Sequence, residues 1–176
     1  MSRLTLLLAT LALAHCSYAQ DEDSDAYRPM TAERMGELIL RIDEEAVQDN
    51  NTWLFHVGTL ETILVYDEAA DRMRVMIPIN EADALPPEEL ERLLQANFDS
   101  ALDARYAIAN GLLWGVFIHP LSSLTDEDFL LGIGQTANVV TSFGTSYSSG
   151  MFIYGGGDSE SIEQQKLLDD LRKEVL

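Results

Sequence analysis

The residues that come nearest to catalysis are His119, Ser122, Ser123 and Asp126: a ring base, two hydroxyls and a carboxylate that could orient the ring. Their spacing speaks for structure instead. Ser122 lies three positions after His119 in an ordinary Pro-Leu-Ser-Ser turn, and no G-x-S-x-G elbow is present to hold a serine out of its strand. His119 is therefore expected to hydrogen-bond neighbouring backbone, and a hydrolase using His119 with Ser122 or Ser123 is the second reading. Gly132-Ile133-Gly134-Gln135-Thr136-Ala137 matches a G-x-G-x-x-A dinucleotide fingerprint, with Asp158 downstream. That chemistry needs a preceding strand and a parallel βαβ unit, whereas Asp126-Glu127-Asp128 reads as a helix start, so no cofactor is expected. His56 and His119 share no helical or strand spacing and predict no metal site. Asn50-Asn51-Thr52 fits an N-glycosylation acceptor in a eukaryotic source.

Composition narrows the function classes further. Against 30 Asp plus Glu stand 11 Lys plus Arg, a formal charge of −19, so a phosphate backbone is repelled and nucleic acid is excluded as an expected partner. So many carboxylates always yield some close pair, and a pair alone carries no chemical information. The length, with 47% hydrophobic positions, suits one globular domain or two small ones at most.

The elements that position these residues begin after a targeting segment. Arg3, an apolar run over residues 4–14 and the small-x-small pattern Ser17-Tyr18-Ala19 read as a signal peptide over 1–19. The run is shorter than the roughly 20 residues of a bilayer span, so export without a permanent membrane span is expected, periplasmic in a Gram-negative source or secreted. Cleavage after Ala19 removes Cys16, the only Cys, which suits an oxidising compartment. Leu13-Ala14-His15-Cys16 loosely resembles a lipoprotein box, but the bulky His15 argues against a lipid anchor at Cys16. Residues 20–30 form an acidic, solvated leader. It lacks the glycine turn and terminal Glu of a calcium loop.

From residue 31 the pattern is that of an α+β domain reaching residue 154. Thr31 caps a first helix with Met35, Leu38, Ile39, Ile42 and Ala46 on one face, stopped by Gln48-Asp49-Asn50-Asn51. Strands are predicted over 52–57, 61–66 and 72–79, joined by hairpins at Gly58-Thr59 and 67–71. Pro86-Pro87-Glu88-Glu89 starts a second helix with a buried stripe of Leu90, Leu93, Leu94 and Phe98. Asn110-Gly111 is type I′ turn chemistry between strands at 105–109 and 112–118. Thr125 caps a third helix carrying Phe129, Ile133, Thr136, Val140 and Phe143 at helical spacing. A Gly-rich linker over 155–158 leads to a C-terminal helix over 159–176, with Ile162, Leu168, Leu171 and Val175 as its apolar face. The expected architecture is a five-stranded, mainly antiparallel sheet in the order α-β-β-β-α-β-β-α plus the appended helix. One sheet face lies under helices, and the other must meet solvent, a further helix or a partner.

Phe143, Tyr147, Met151, Phe152 and Tyr154 concentrate rings and thioethers in a stretch otherwise made of Gly, Ser and Thr. They are the candidate partner-binding residues. The competing reading, which helical spacing as far as Tyr147 favours, is that they finish the core under the third helix.

Three stretches carry a family resemblance: Arg72-Met73-Arg74-Val75-Met76-Ile77-Pro78-Ile79, the helix ending in Gln95-Ala96-Asn97-Phe98, and residues 103–121 including Trp114-Gly115-Val116-Phe117-Ile118-His119-Pro120-Leu121. They resemble the type III secretion chaperone-like group, which includes the Tir chaperone and YbjN-like proteins, over residues 31 to 150 approximately. The resemblance implies the element order given above and a small acidic protein, commonly a homodimer. Such a protein holds a partner polypeptide in apolar grooves and has no catalytic residues. Those secretion chaperones work in the cytosol, whereas this chain carries an export pattern, which points to an envelope protein that reuses the fold. The expected function is thus non-enzymatic binding of a protein client or a second copy (a homodimer). A purely structural envelope component is a third reading. The acidic exterior keeps such a complex soluble, selects a basic client or adapts the chain to salt.

Overall fold

The computed structural model describes residues 29–149 and Lys173. Helix α1 spans Ala32–Ile42, with the Thr31 side chain accepting from the Arg34 N–H as its cap. Met35, Leu38 and Ile39 are buried, and Ile42 and Ala46 are half-buried against the same core. The helix ends earlier than its apolar spacing implies, because the chain turns at Asp43. The Asp43 carboxylate accepts from the His56 N–H at 2.8 Å and the Glu45 N–H at 2.9 Å, fixing the exit toward the sheet.

The stretch expected only to stop α1 instead pairs into the sheet. Strand β1 (Val47–Asp49) pairs antiparallel with β2 (Thr52–Val57) around Asn50, which takes the left-handed φ of 53° that Asn tolerates. β3 (Leu60–Asp67), β4 (Arg72–Glu81), β5 (Arg105–Ala109) and β6 (Leu112–His119) complete the sheet. The order is β1-β2-β3-β4-β6-β5. The expected five-stranded, mainly antiparallel sheet is therefore six-stranded and antiparallel throughout. Gly58 (φ 60°) and the pair Asn110 (φ 52°) and Gly111 (φ 76°) make the tight turns.

Inward side chains alternate along every long strand: Trp53, Phe55 and Val57; Met73, Val75 and Ile77; Leu113 and Phe117. They meet α1 and helix α3 (Asp126–Thr141), whose Phe129, Leu130, Ile133 and Ala137 complete the main core. Thr125 caps α3 through the Asp128 N–H. Arg34 of α1 grips Asp126 Oδ2 at the start of α3 with Nε at 2.9 Å and Nη2 at 2.5 Å, tying the two helices together. The glycine fingerprint lies inside α3, more than a turn past its start and not at a strand-to-helix turn, and the strand before α3, β6, is antiparallel to its neighbours. Gly132 is there because α3 rides directly over Phe117: a Cβ would come within 2.2 Å of that ring. α3 stops at Thr141, so Phe143 and Tyr147 sit in the turn beyond it, not on the helix.

Helix α2 (Pro87–Asp99) packs over the sheet's β5 end, closing a second core of Leu93, Ala96, Tyr106, Leu113 and Val139. The buried Tyr106 hydroxyl donates to the Val139 carbonyl at 2.7 Å, and burial pushes its pKa up to about 12.

Two carboxylates give the fold an acid-sensitive edge. Asp71 accepts from the Ser122 hydroxyl (2.6 Å) and N–H (2.7 Å), and Asp43 from the amides named above, so both carboxyls sit below their ordinary 3.8. A depressed folded pKa contributes stability that is present above the unfolded value and lost as pH falls through the folded one. Asp71→Asn is therefore expected to flatten the fall in stability below pH 3.8, as read by urea unfolding across an acid series.

Candidate polypeptide-binding faces

Helices α1, α2 and α3 lie on one side of the sheet. The opposite side is covered by no helix among the described residues, yet its side chains are not those of a solvated face. Adjacent-strand register lines up Val47, Leu54, Ile63, Met76 and Val116 as one continuous row across β1, β2, β3, β4 and β6, ending at Arg105 of β5. The next row runs Thr52, Val65, Arg74 and Ile118. Trp114, between Pro78 and Ala107, extends the apolar area toward β5. Leu54 is 51% and Ile118 52% exposed, while Ile63, Val65, Met76 and Val116 are half-buried by one another. Scattered surface apolar residues need no explanation, but a contiguous patch of this kind does.

Charge on this open face is close to balance, unlike the chain as a whole. Arg72, Arg74 and Arg105 stand on the outward parity of their strands against Asp49, Glu61, Asp67 and Glu81. Most of the excess acidity of a chain at −19 thereby lies on the helices, loops and termini. An apolar centre with arginines around it is the composition that recurs at protein interfaces.

A second apolar feature lies on the helix side. Leu93 of α2 is buried as expected, but the rest of the predicted buried stripe is corrected by the structure. Leu90 is half-buried, Leu94 is 72% exposed and Phe98 is 90% exposed. β5 is the last strand of the sheet, so it offers α2 only a narrow shelf, and one flank of the stripe is left overhanging. Leu90, Leu93, Leu94, Asn97, Tyr106 and Ile108 line the resulting groove, of about 340 Å³.

The edge of β5 beside this groove is closed by a side chain. Asn97 Oδ1 accepts from the Tyr106 N–H at 2.8 Å and Asn97 Nδ2 donates to the Tyr106 carbonyl at 2.9 Å, as a neighbouring strand would. This blunts an edge otherwise open to strand pairing. Asn97→Leu is expected to cost about 1–2 kcal/mol in urea unfolding, because a partly buried amide and carbonyl lose their partner.

Of the residues singled out from the sequence, Phe143 and Tyr147 are half-buried around Tyr106 at ring separations of 6.4, 6.2 and 5.9 Å. Arg92 lies 5.0 Å over the Tyr147 ring. Met151, Phe152 and Tyr154 lie outside the described residues, as do the expected signal segment, residues 20–28 of the expected leader and the linker. The leader is expected to stay solvated as far as residue 30, but Met30 is buried in the main core, its N–H donating to the Leu121 and Leu124 carbonyls. Only Lys173 of the C-terminal helix is described, and it is helical. His119 Nδ1 lies 2.8 Å from the Pro120 carbonyl and its ring stacks on Phe117. The Ser122 hydroxyl donates to Asp71 Oδ2 at 2.6 Å. Among the described residues no three His, Cys, Asp or Glu side chains gather to hold a metal ion, and no helix is long and apolar enough to cross a membrane. In comparison with known proteins, the sequence matches no family model and no curated protein.

Proposed function

We propose that this protein binds another polypeptide through the open face of its sheet, without catalysis. The observation that carries the reading is the unbroken apolar row Leu54–Ile63–Met76–Val116 on a face that no described element covers. A segment laid across that row would supply the missing layer of a fold otherwise built with helices on one side only. Its chemistry follows from the face: apolar side chains for the row, and acceptors or carboxylates for Arg74 and Arg105. A second copy of this chain is disfavoured as occupant, because two chains at −19 repel one another.

The resemblance to the secretion chaperone-like group supports the same reading. Its implied order, α-β-β-β-α-β-β-α, is recovered in the observed elements once the short β1 is set aside. The export pattern then places the binding function in the envelope or outside the cell. The test is affinity capture with the mature protein and its Met76→Asp variant from the native envelope or secreted fraction. A polypeptide recovered by the first and lost with the second supports the function. Recovery of the same proteins by both, or of a second copy alone, overturns it.

A further inference from the structure

The α2–β5 groove is a separate surface from the open sheet face, on the opposite side of the molecule, and where the chain leaves the domain bears on what fills it. Ser148 and Ser149 are anchored at the carboxyl end of α2. The Ser148 hydroxyl donates to the Ser100 carbonyl at 3.2 Å, the Ser100 hydroxyl donates to the Tyr147 carbonyl at 2.7 Å, and the Leu102 N–H donates to the Ser149 hydroxyl. Residues 150–176 therefore start within a few residues of Phe98. Their glycine-rich first part, residues 150–161, reaches about 40 Å when extended, about twice the 20 Å length of a 13-residue helix such as α2.

The remainder has the pattern the groove needs. Leu168, Leu171 and Val175 recur at three and four residues, with Leu167 beside them. As a helix, residues 162–175 extend about 21 Å, the length of α2. Lys173 is helical and exposed. A helix that enters the groove from the carboxyl end of α2, beside which the chain leaves the domain, takes an antiparallel course. That course brings Arg172 and Lys173, with Glu174 next to them, to the amino end of α2, where Glu88, Glu91 and Glu89 (the last accepting from the Tyr147 hydroxyl) lie. Opposite charges meet, and the two helix dipoles oppose favourably. A strand is the poorer occupant, since Asn97 already holds the outward N–H and C=O of Tyr106.

We propose that residues 162–175 dock in cis as an antiparallel helix in the groove between α2 and β5, covering Leu94, Phe98 and Ile108. The occupant is this chain's own C-terminal segment, tethered beside its site, so docking is set by a high effective concentration and not by protein concentration.

Disulfide trapping in the full chain, with Cys16→Ser so that only the introduced thiols react, tests this. Leu94→Cys with Leu171→Cys is expected to close an intramolecular disulfide about ten-fold faster than Leu40→Cys with Leu171→Cys, in which the first thiol is exposed on α1. Ile108→Cys with Leu168→Cys is a second pair that should behave like the first. Arg172→Glu with Lys173→Glu should slow both. Equal rates at the α1 and α2 positions overturn the proposal, as does a disulfide found mainly between two chains. These outcomes are independent of whether Met76→Asp abolishes capture of a partner at the open face.

Discussion

Met76→Asp is expected to weaken partner binding about 100-fold while the domain stays folded. Met76 is the centre of the open-face row, flanked across the sheet by Ile63 and Val116. A carboxylate there must be desolvated without a partner when the face is covered, and truncating or charging a central apolar contact costs about 2–4 kcal/mol of binding. With nothing bound, the side chain is only half-buried and the carboxylate remains hydrated, so urea unfolding should change by less than about 1 kcal/mol. A binding isotherm of the captured partner, with unfolding measured in parallel, separates the two effects. Fluorescence of an apolar dye such as ANS with the isolated protein should fall with the same substitution, since the patch that recruits the dye is interrupted.

The second large effect is on stability. Gly132→Ala is expected to destabilise the domain by about 3 kcal/mol and lower Tm by about 10 °C, because the new Cβ meets a packed ring. The nearest Phe117 atoms would stand at 2.2, 2.4 and 2.7 Å, and the ring has little room to turn because it is buried and stacked on His119. Adding Phe117→Leu should recover part of the loss, a coupling between neighbours that a double-mutant cycle measures directly. Loss of the same size with no recovery would show that the helix, and not the contact, needs the glycine.

Much of the scaffold is legible in the sequence because local chemistry decides it. Thr31 and Thr125 cap their helices as their positions imply, and Asn110-Gly111 makes the tight turn its residue types demand. The alternation of Met73, Val75 and Ile77 identifies the core side of β4. β1 is not legible: Val47-Gln48-Asp49 is short, exposed at every position and shows no apolar alternation, and its pairing with β2 depends on the turn at Asn50 and on the Gln48 amide reaching the Tyr66 hydroxyl, neither of which periodicity contains. The end of α1 depends on Asp43 reaching the His56 N–H, a contact thirteen residues away that periodicity does not contain.

The candidate faces were harder to see for a different reason. Period two tells which residues of one strand share a face, but not which residues of the next strand lie beside them. Leu54, Ile63, Met76 and Val116 are scattered over more than sixty residues and become a row only through the register. The stripe of α2 shows the converse. Leu90, Leu93, Leu94 and Phe98 have the spacing of a buried helix face whether the protein's own core or another segment covers them, and only the narrow shelf of β5 decides that Leu94 and Phe98 remain outside. The aromatic residues Phe143 and Tyr147 stand out by composition, and the structure places them half-buried in a cluster with Tyr106.

The most direct measurement is photocrosslinking from the open face inside the cells that make the protein. A benzophenone side chain at position 54 or 118 is compared with one at position 40 on the helix side, and every product is identified by mass spectrometry. Heterologous polypeptide adducts at 54 and 118, absent at 40 and lost on adding Met76→Asp, are the predicted result. Adducts at 40 equal to those at 54 and 118, or none at all from the sheet, would contradict the claim that this face is held open for another chain.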